Sequence, residues 1–370
     1  MKLITFYLPQ FHEIPENNKW WGEGFTEWVN VKKAESLFAG HYQPREPYND
    51  NYYNLLEDSV MEWQMKLAKK YGIYGFCFYH YWFDGKKVLE KPVERLLNNP
   101  KANLPFCLCW ANEPWTKTWH GAGGSKEVLL RQRYGGEKEW TEHFEYLLQF
   151  FKDSRYIKED NKPIVLIYRT GYMNKCEEML KLWNNLAIEN GFNGIFVVNM
   201  LSVMDRCAKN KYISASVDFE PGRTRRESGM GLGLSRDFKE KYAGKLKKLR
   251  IFNRLLCTVL DYDKVNQEML EKKHKKNEFR GVFVDYDDTP RRGVKGVVVQ
   301  GSTPKKFEKY LRANIEKSIE EGNDYLFINA WNEWGESNYL EPDKRYGYAY
   351  LKAVREAHRL SDHSLRNNNL

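Results

Sequence analysis

Along the chain, short runs of apolar, β-branched and aromatic residues recur, each followed by a stretch in which apolar positions return at helical spacing. Eight such runs can be counted, at 2–8, 73–79, 105–110, 163–168, 194–199, 213–219, 281–286 and 325–331. Near-continuous apolar runs, rather than strict alternation, are what strands covered on both faces require. Between them the spacing predicts helices over 57–71, 88–98, 137–152, 176–190, 238–249 with 252–270, 304–320 and 344–359; the fifth connection, 200–212, is short and weakly helical. The helix at 304–320 shows the local signals: Thr303 as N-cap, Pro304 in the first turn, apolar Phe307, Leu311, Ile315 and Ile319 at helical spacing, and Gly322 to end it.

Strands alternating with helices generate a parallel sheet with crossover connections. A doubly wound sheet built for a nucleotide carries a Gly-rich turn after its first strand, whereas here that strand runs into Leu8-Pro9-Gln10-Phe11-His12. Eight units on one sheet fit a closed barrel better. The expected fold is α/β, a (β/α)8 TIM barrel with enlarged strand-to-helix loops, which suits 370 residues. One catalytic domain is expected over 1–360, with a flexible tail over 361–370.

Composition changes that picture in two places. Aromatic residues make up 15% of the chain, and many fall at strand ends, which offers either a stacking surface for sugar rings or a large aromatic core. The net charge of +9 is concentrated in 222–280, through Arg223, Arg225, Arg226, Lys245, Lys247, Lys248, Arg250 and the run 271–276. No single-strand-binding or zinc-finger pattern accompanies it, so a solvated basic face is expected and no nucleic acid; contact with an anionic membrane is a subsidiary reading. Cys77, Cys107 and Cys109 lie in apolar runs and read as small core hydrophobes, with no Cys/His spacing for a metal and no cofactor expected. The first strand begins at once, without a signal-sequence pattern, and no apolar stretch approaches a bilayer span, so cytoplasmic residence is the expectation.

In a (β/α)8 barrel the chemistry gathers where strands end. Here those ends carry Tyr7, Gln10 and His12 after strand one, Tyr79 and His80 after strand two, and Trp110, Asn112 and Glu113 after strand three. Asp288 and Arg291 follow strand seven, and Trp331, Asn332, Glu333, Trp334 and Glu336 follow strand eight. Cleaving a glycosidic bond needs a proton donor and a second carboxylate. Glu333 and Glu336 are the leading pair, against the alternative that one caps the turn and the other faces solvent. Glu113 is a third candidate acid, or else a structural partner of His80 or Arg291. The long first connection adds Trp20, Trp21, Glu27 and Trp28, then His41 and Tyr42, and reads either as a substrate lid or as a loop folded on its own aromatics. The remaining strand-end residues are candidate ligands for sugar hydroxyls.

Taken together, Tyr7-Leu8-Pro9-Gln10-Phe11-His12, Trp21-Gly22-Glu23-Gly24-Phe25-Thr26-Glu27-Trp28, His41-Tyr42-Gln43-Pro44, Gly75-Phe76-Cys77-Phe78-Tyr79-His80-Tyr81-Trp82, Trp110-Ala111-Asn112-Glu113 and Trp331-Asn332-Glu333-Trp334-Gly335-Glu336 resemble the WbsX family. Its members are similar to glycoside hydrolase family 99, the endo-α-mannosidases and endo-α-mannanases. The resemblance implies a retaining, substrate-assisted mechanism in which Glu333 deprotonates the sugar's own 2-hydroxyl to form a 1,2-anhydro sugar while Glu336 protonates the leaving oxygen. It also implies an oligosaccharide or lipid-linked glycan substrate of the O-antigen, capsule or lipopolysaccharide type, either hydrolysed or transferred. Glu341-Pro342 matches a Glu-Pro of the hydrolase pattern. A nucleotide-sugar-dependent glycosyltransferase and a non-catalytic glycan-binding barrel remain the alternatives.

Overall fold

A computed structural model describes residues 1–117, 127–202, 210–231 and 253–368, with side chains to 359. Eight parallel strands form the barrel: β1 (Lys2–Tyr7), β2 (Gly75–Phe83), β3 (Phe106–Trp110), β4 (Lys162–Ile167), β5 (Phe196–Leu201), β6 (Ile213–Asp218), β7 (in two pieces, Glu278–Phe279 and Gly281–Phe283) and β8 (Tyr325–Asn329). Each pairs with its neighbours in chain order, and β1 pairs with both β2 and β8. All nine residues of β2 are buried, as expected of a strand with one face toward the barrel interior and the other under helices.

Strand β7 closes the ring through its two pieces: Phe279 pairs with Val217 of β6, and Gly281 pairs with Phe327 of β8. Between them Arg280, only 1% exposed, turns its guanidinium onto Glu321 and the carbonyls of Met269 and Lys272. A Cβ at Gly281 would lie 1.8 Å from the carbonyl oxygen of Asp218, so a side chain there would force β6 and β7 apart.

The strand expected over 281–286 therefore begins and ends earlier. Its last residues leave the barrel: Tyr286–Asp287 pairs antiparallel with Val297–Gln300, which pairs parallel with Thr258–Asp261. This small sheet was not legible in the sequence, because a four-residue apolar run carries too little periodicity. It rests on its own minor core of Phe38, Leu256, Cys257, Val294 and Val298.

The outer helices include Asp58–Lys70, Lys91–Leu97, Glu137–Phe151, Cys176–Glu189, Pro304–Glu320 and Ala349–Asn368. Pro304–Glu320 starts as its sequence indicates, with the Thr303 hydroxyl accepting from the Lys306 N–H and Phe307, Leu311 and Ile315 buried. Between 252 and 270, where one helix was expected, Asn253–Leu256 and Tyr262–Glu271 flank a strand. The helix expected over 238–249 lies outside the described residues, as do Lys245, Lys247, Lys248 and Arg250. Other basic residues of that segment are paired: Arg223 with Asp218 and Glu227, and Lys272 with Asp218, Glu220 and Glu227. Cys77, Cys107 and Cys109 are fully buried free thiols of the core. Among the described residues no helix is long and apolar enough to cross a membrane.

Candidate active site

Beyond β8 the chain makes a tight hairpin that presents both carboxylates of the Glu-x-x-Glu pattern. Asn332 and Glu333 pair antiparallel with Tyr339 and Asn338, and residues 334–336 form a single 3-10 turn between them. Glu333 thus leaves from a strand-paired residue and Glu336 from a turn, three positions on. The hairpin is pinned at its base: the Asn332 side chain accepts from the Leu8 N–H at 2.8 Å and donates to the Leu8 carbonyl at 3.0 Å.

Both carboxylates meet at one guanidinium. Arg291 donates from Nη2 to Glu333 at 2.5 Å, from Nη1 to Glu336 at 2.8 Å and from Nε to Glu27 at 2.8 Å. The side chains of Arg291, Glu27 and Glu333 are almost wholly buried, while that of Glu336 is 18% exposed. Gly335 makes room for this arrangement, since a Cβ there would sit 1.9 Å from the Glu27 carboxylate and 2.8 Å from Arg291 Nε. Burial, opposed by Arg291 and reinforced by Glu336 and Glu27, pushes Glu333 up to about 8, and burial raises Glu336 as well. Burial and the neighbouring carboxylates thus favour a proton on the Glu333–Glu336 pair.

Around the pair lies a cavity at the C-terminal ends of the strands. Of the residues expected to bind substrate, Gln10, Trp21, Tyr79, Glu113 and Arg291 line it together with Glu333 and Glu336. Trp20, read in the sequence as part of the candidate substrate lid, lines it too, as do Tyr81, Trp115, Tyr168 and Phe219, which sequence reasoning did not select. Tyr168 and Phe219 end the predicted fourth and sixth strands, so the strand-end rule applied evenly would have found them. Burial, then the charge of Glu333 among nearby groups, holds the Tyr79 and Tyr81 phenols well above their ordinary value, so they remain protonated donors.

Several other expected ligands lie outside this lining, and these and the cavity-lining Glu113 have polar atoms engaged by neighbouring protein groups. Tyr7 donates to Gln64, the Trp28 indole to the Tyr53 carbonyl and the Trp110 indole to the Trp82 carbonyl. His80 and His143 share a 2.8 Å contact between Nε2 atoms, and burial depresses both. Asn112 brackets the backbone of Arg169 through its amide, at 2.7 and 3.0 Å. Glu113 pairs with Arg169 at 2.6 Å, rather than with His80 or Arg291. His41 bonds Asp287 at 2.7 Å; burial of Asp287 is outweighed by hydrogen bonds from His41, Thr289 and Gln43, which hold its carboxyl below the ordinary range. Tyr42 lies between the guanidinium groups of Arg45 and Arg345. Asp288 accepts from the Val297 N–H at 2.6 Å, and His12 is 1% exposed, away from the cavity lining.

Trp331 and Trp334 serve a second carboxylate. Their indoles donate to Glu341 at 3.0 and 2.7 Å, joined by Gln64 at 2.7 Å and Tyr53 at 2.9 Å. Four donors and no cation surround it; burial nevertheless raises it to about 7. The first connection divides in function. Trp28 packs inward on Phe11 and Trp334, whereas Trp20 and Trp21 face the cavity, with Trp20 edge-on to Trp115.

Residues 3–354 match the family described as Glycosyltransferase WbsX. The chain is 33% identical over 359 residues to WxcX, a protein of uncharacterized function in two strains of Xanthomonas campestris pv. campestris, and that match covers 96% of this chain. The chain spans about half the length of these curated relatives, 49% of each. In fold it is similar to the GH99 endo-α-mannosidase of Bacteroides thetaiotaomicron, at 13% identity and a TM-score of 0.56 over 98% of both chains. It is also similar to a glycoside hydrolase-like protein, at 12% identity and a TM-score of 0.58 over 96% of this chain and 93% of that one. The chain belongs to the WbsX family, on a (β/α)8 barrel shared with the family 99 glycosidases.

Proposed function

We propose that this protein is a carbohydrate-active enzyme that cleaves or transfers an α-mannose-like residue of a bacterial surface glycan by substrate assistance. The observation that carries the reading is the clamp: Glu333 and Glu336 each give one oxygen to Arg291, have no second hydrogen bond among the described residues, and line the same aromatic-walled cavity. Such a pair can hold one proton and pass it across a sugar ring.

In the first step the Glu333 carboxylate takes the proton of the 2-hydroxyl, O2 closes on C1, the bond from C1 to the leaving oxygen breaks, and Glu336 protonates that oxygen. In the second, Glu336 takes a proton from water or an acceptor hydroxyl as its oxygen attacks C1, the bond from C1 to O2 breaks, and O2 recovers its proton from Glu333. The two carboxyls exchange one proton in each step and end as they began. In the empty cavity burial favours the protonated form of Glu333, but a 2-hydroxyl donating to it would favour the carboxylate. The two separations that distinguish ordinary retaining and inverting pairs do not constrain this route, because the nucleophile belongs to the substrate.

Transfer needs only an acceptor hydroxyl in place of water, which accommodates the family's description as a glycosyltransferase. The turn after β1, where a doubly wound nucleotide-binding fold places its Gly-rich phosphate loop, instead gives the N–H of Leu8 to Asn332. Incubation with α-linked mannose oligosaccharides and their 2-deoxy counterparts, with products and anomeric configuration read by mass spectrometry and NMR, tests the proposal. Turnover with retention that vanishes for the 2-deoxy substrates is expected; equal turnover of both, or sugar transfer that proceeds only with a nucleotide-sugar donor, would overturn it.

A further inference from the structure

The cavity continues past Glu336 into a second arm of different chemistry. Glu336 and Arg291 line both arms, whereas Glu333 and the tryptophans belong to the first alone. Three more arginines, Arg169, Arg225 and Arg292, line the second.

These cations are unequally neutralised. Arg169 is paired with Glu113, donates to Ser202 and packs on the face of Tyr168. Arg292 has one monodentate contact, to Asp288 at 3.2 Å, and its side chain is 55% exposed. Arg225 is half-buried and gives no hydrogen bond or ion pair among the described residues, yet its charge is felt at Asp288 and Tyr286. Among the described residues the carboxylates whose charge reaches these two guanidinium groups include Asp288, and Glu336 for Arg292; Asp288 already accepts from the Val297 N–H. The two guanidinium groups therefore keep unfilled donors on one wall of the arm, and an anion with two or more oxygens is the complementary guest.

We propose that the second arm is a subsite for an anionic substituent of the glycan, a carboxylate or phosphate group held by Arg225 and Arg292. Its place in the reaction follows from the wall residues and rests on the functional reading above. The ring that loses its leaving group must present O2 to Glu333, in the first arm, while its leaving oxygen meets Glu336, where the second arm begins. The anion thus lies on the leaving-group or acceptor side, and the sugar attacked at C1 is the neutral one.

Calorimetry with the whole chain tests this without requiring turnover, using inorganic pyrophosphate, mannose 1-phosphate, glucuronate and, as a neutral control, methyl α-mannoside. At least one anionic probe is expected to bind, and to weaken tenfold or more in Arg225→Gln and in Arg292→Gln. Arg225→Lys, which keeps the charge, should recover most phosphate binding. Preference for the phosphates or for glucuronate identifies the group. If none of the anionic probes binds, or if both glutamine variants bind them as the parent does, the subsite is wrong. Anion binding without turnover of any glycoside would leave the subsite standing and remove the catalytic reading; turnover without anion binding would do the reverse.

Discussion

Two buried carboxylate sites lie a few residues apart on the β8 hairpin, and they are held in opposite ways. Glu341 is surrounded by four neutral donors from three parts of the chain: Tyr53 in the first connection, Gln64 on the helix Asp58–Lys70, and the indoles of Trp331 and Trp334. Glu333 and Glu336 share one guanidinium and face the cavity. A saturated carboxylate has little left to offer a substrate and instead fixes the hairpin, because removing it would strand buried donors. A pair clamped at one oxygen each is oriented but unfinished. Both settings raise a glutamate, so an elevated pKa alone does not separate a structural carboxyl from a chemical one; the count of filled acceptor positions does.

The largest test of the contrast removes the chemistry and leaves the fold. Glu333→Gln and Glu336→Gln should each lower kcat by about 10²–10⁴-fold, with a thermal melting point close to that of the parent. A variant that keeps its activity would break the comparison. Replacing the clamp should cost both properties: Arg291→Met leaves buried carboxylates without their cation, destabilising the fold by about 3–5 kcal/mol in denaturant titrations. In that variant the pKa values of both carboxyls rise further, so whatever activity survives should move to higher pH.

Glu341→Gln should behave in the converse way, costing about 1–3 kcal/mol for each buried donor left unpaired. Because folding raises Glu341 from 4.5 to about 7, its contribution is fully present below pH 4.5 and is lost as pH rises through about 7. The glutamine variant should lack that slope in melting point against pH. Activity should follow the other site: with one proton needed on the pair, kcat/KM falls as pH rises through about 8, where Glu333 of the free protein would lose it, and falls again in acid when both carboxyls are protonated. The smallest expected change is in the aromatic wall, where Trp20→Ala should raise KM about fivefold, for roughly 1 kcal/mol of stacking, with little effect on kcat.

The hydrophobic runs along the chain were enough to specify eight parallel strands, their order and the rim where carboxylates and aromatics collect, because strand burial is written locally in consecutive side chains. The motif likewise marked Glu333 and Glu336. What was not legible was which polar strand-end residue faces the cavity and which faces another part of the wall. Trp331 and Trp334 flank Glu333 in sequence, yet both turn to Glu341; Glu27 and Arg291 lie 264 positions apart, yet meet at 2.8 Å beneath Gly335. Likewise the 2.6 Å pairing of Glu113 with Arg169 joins the ends of two adjacent strands 56 residues apart. Periodicity assigns a residue to a face of its own strand. Only closure of the barrel decides which distant charge that face meets, and therefore which carboxyl is saturated and which is left open to substrate.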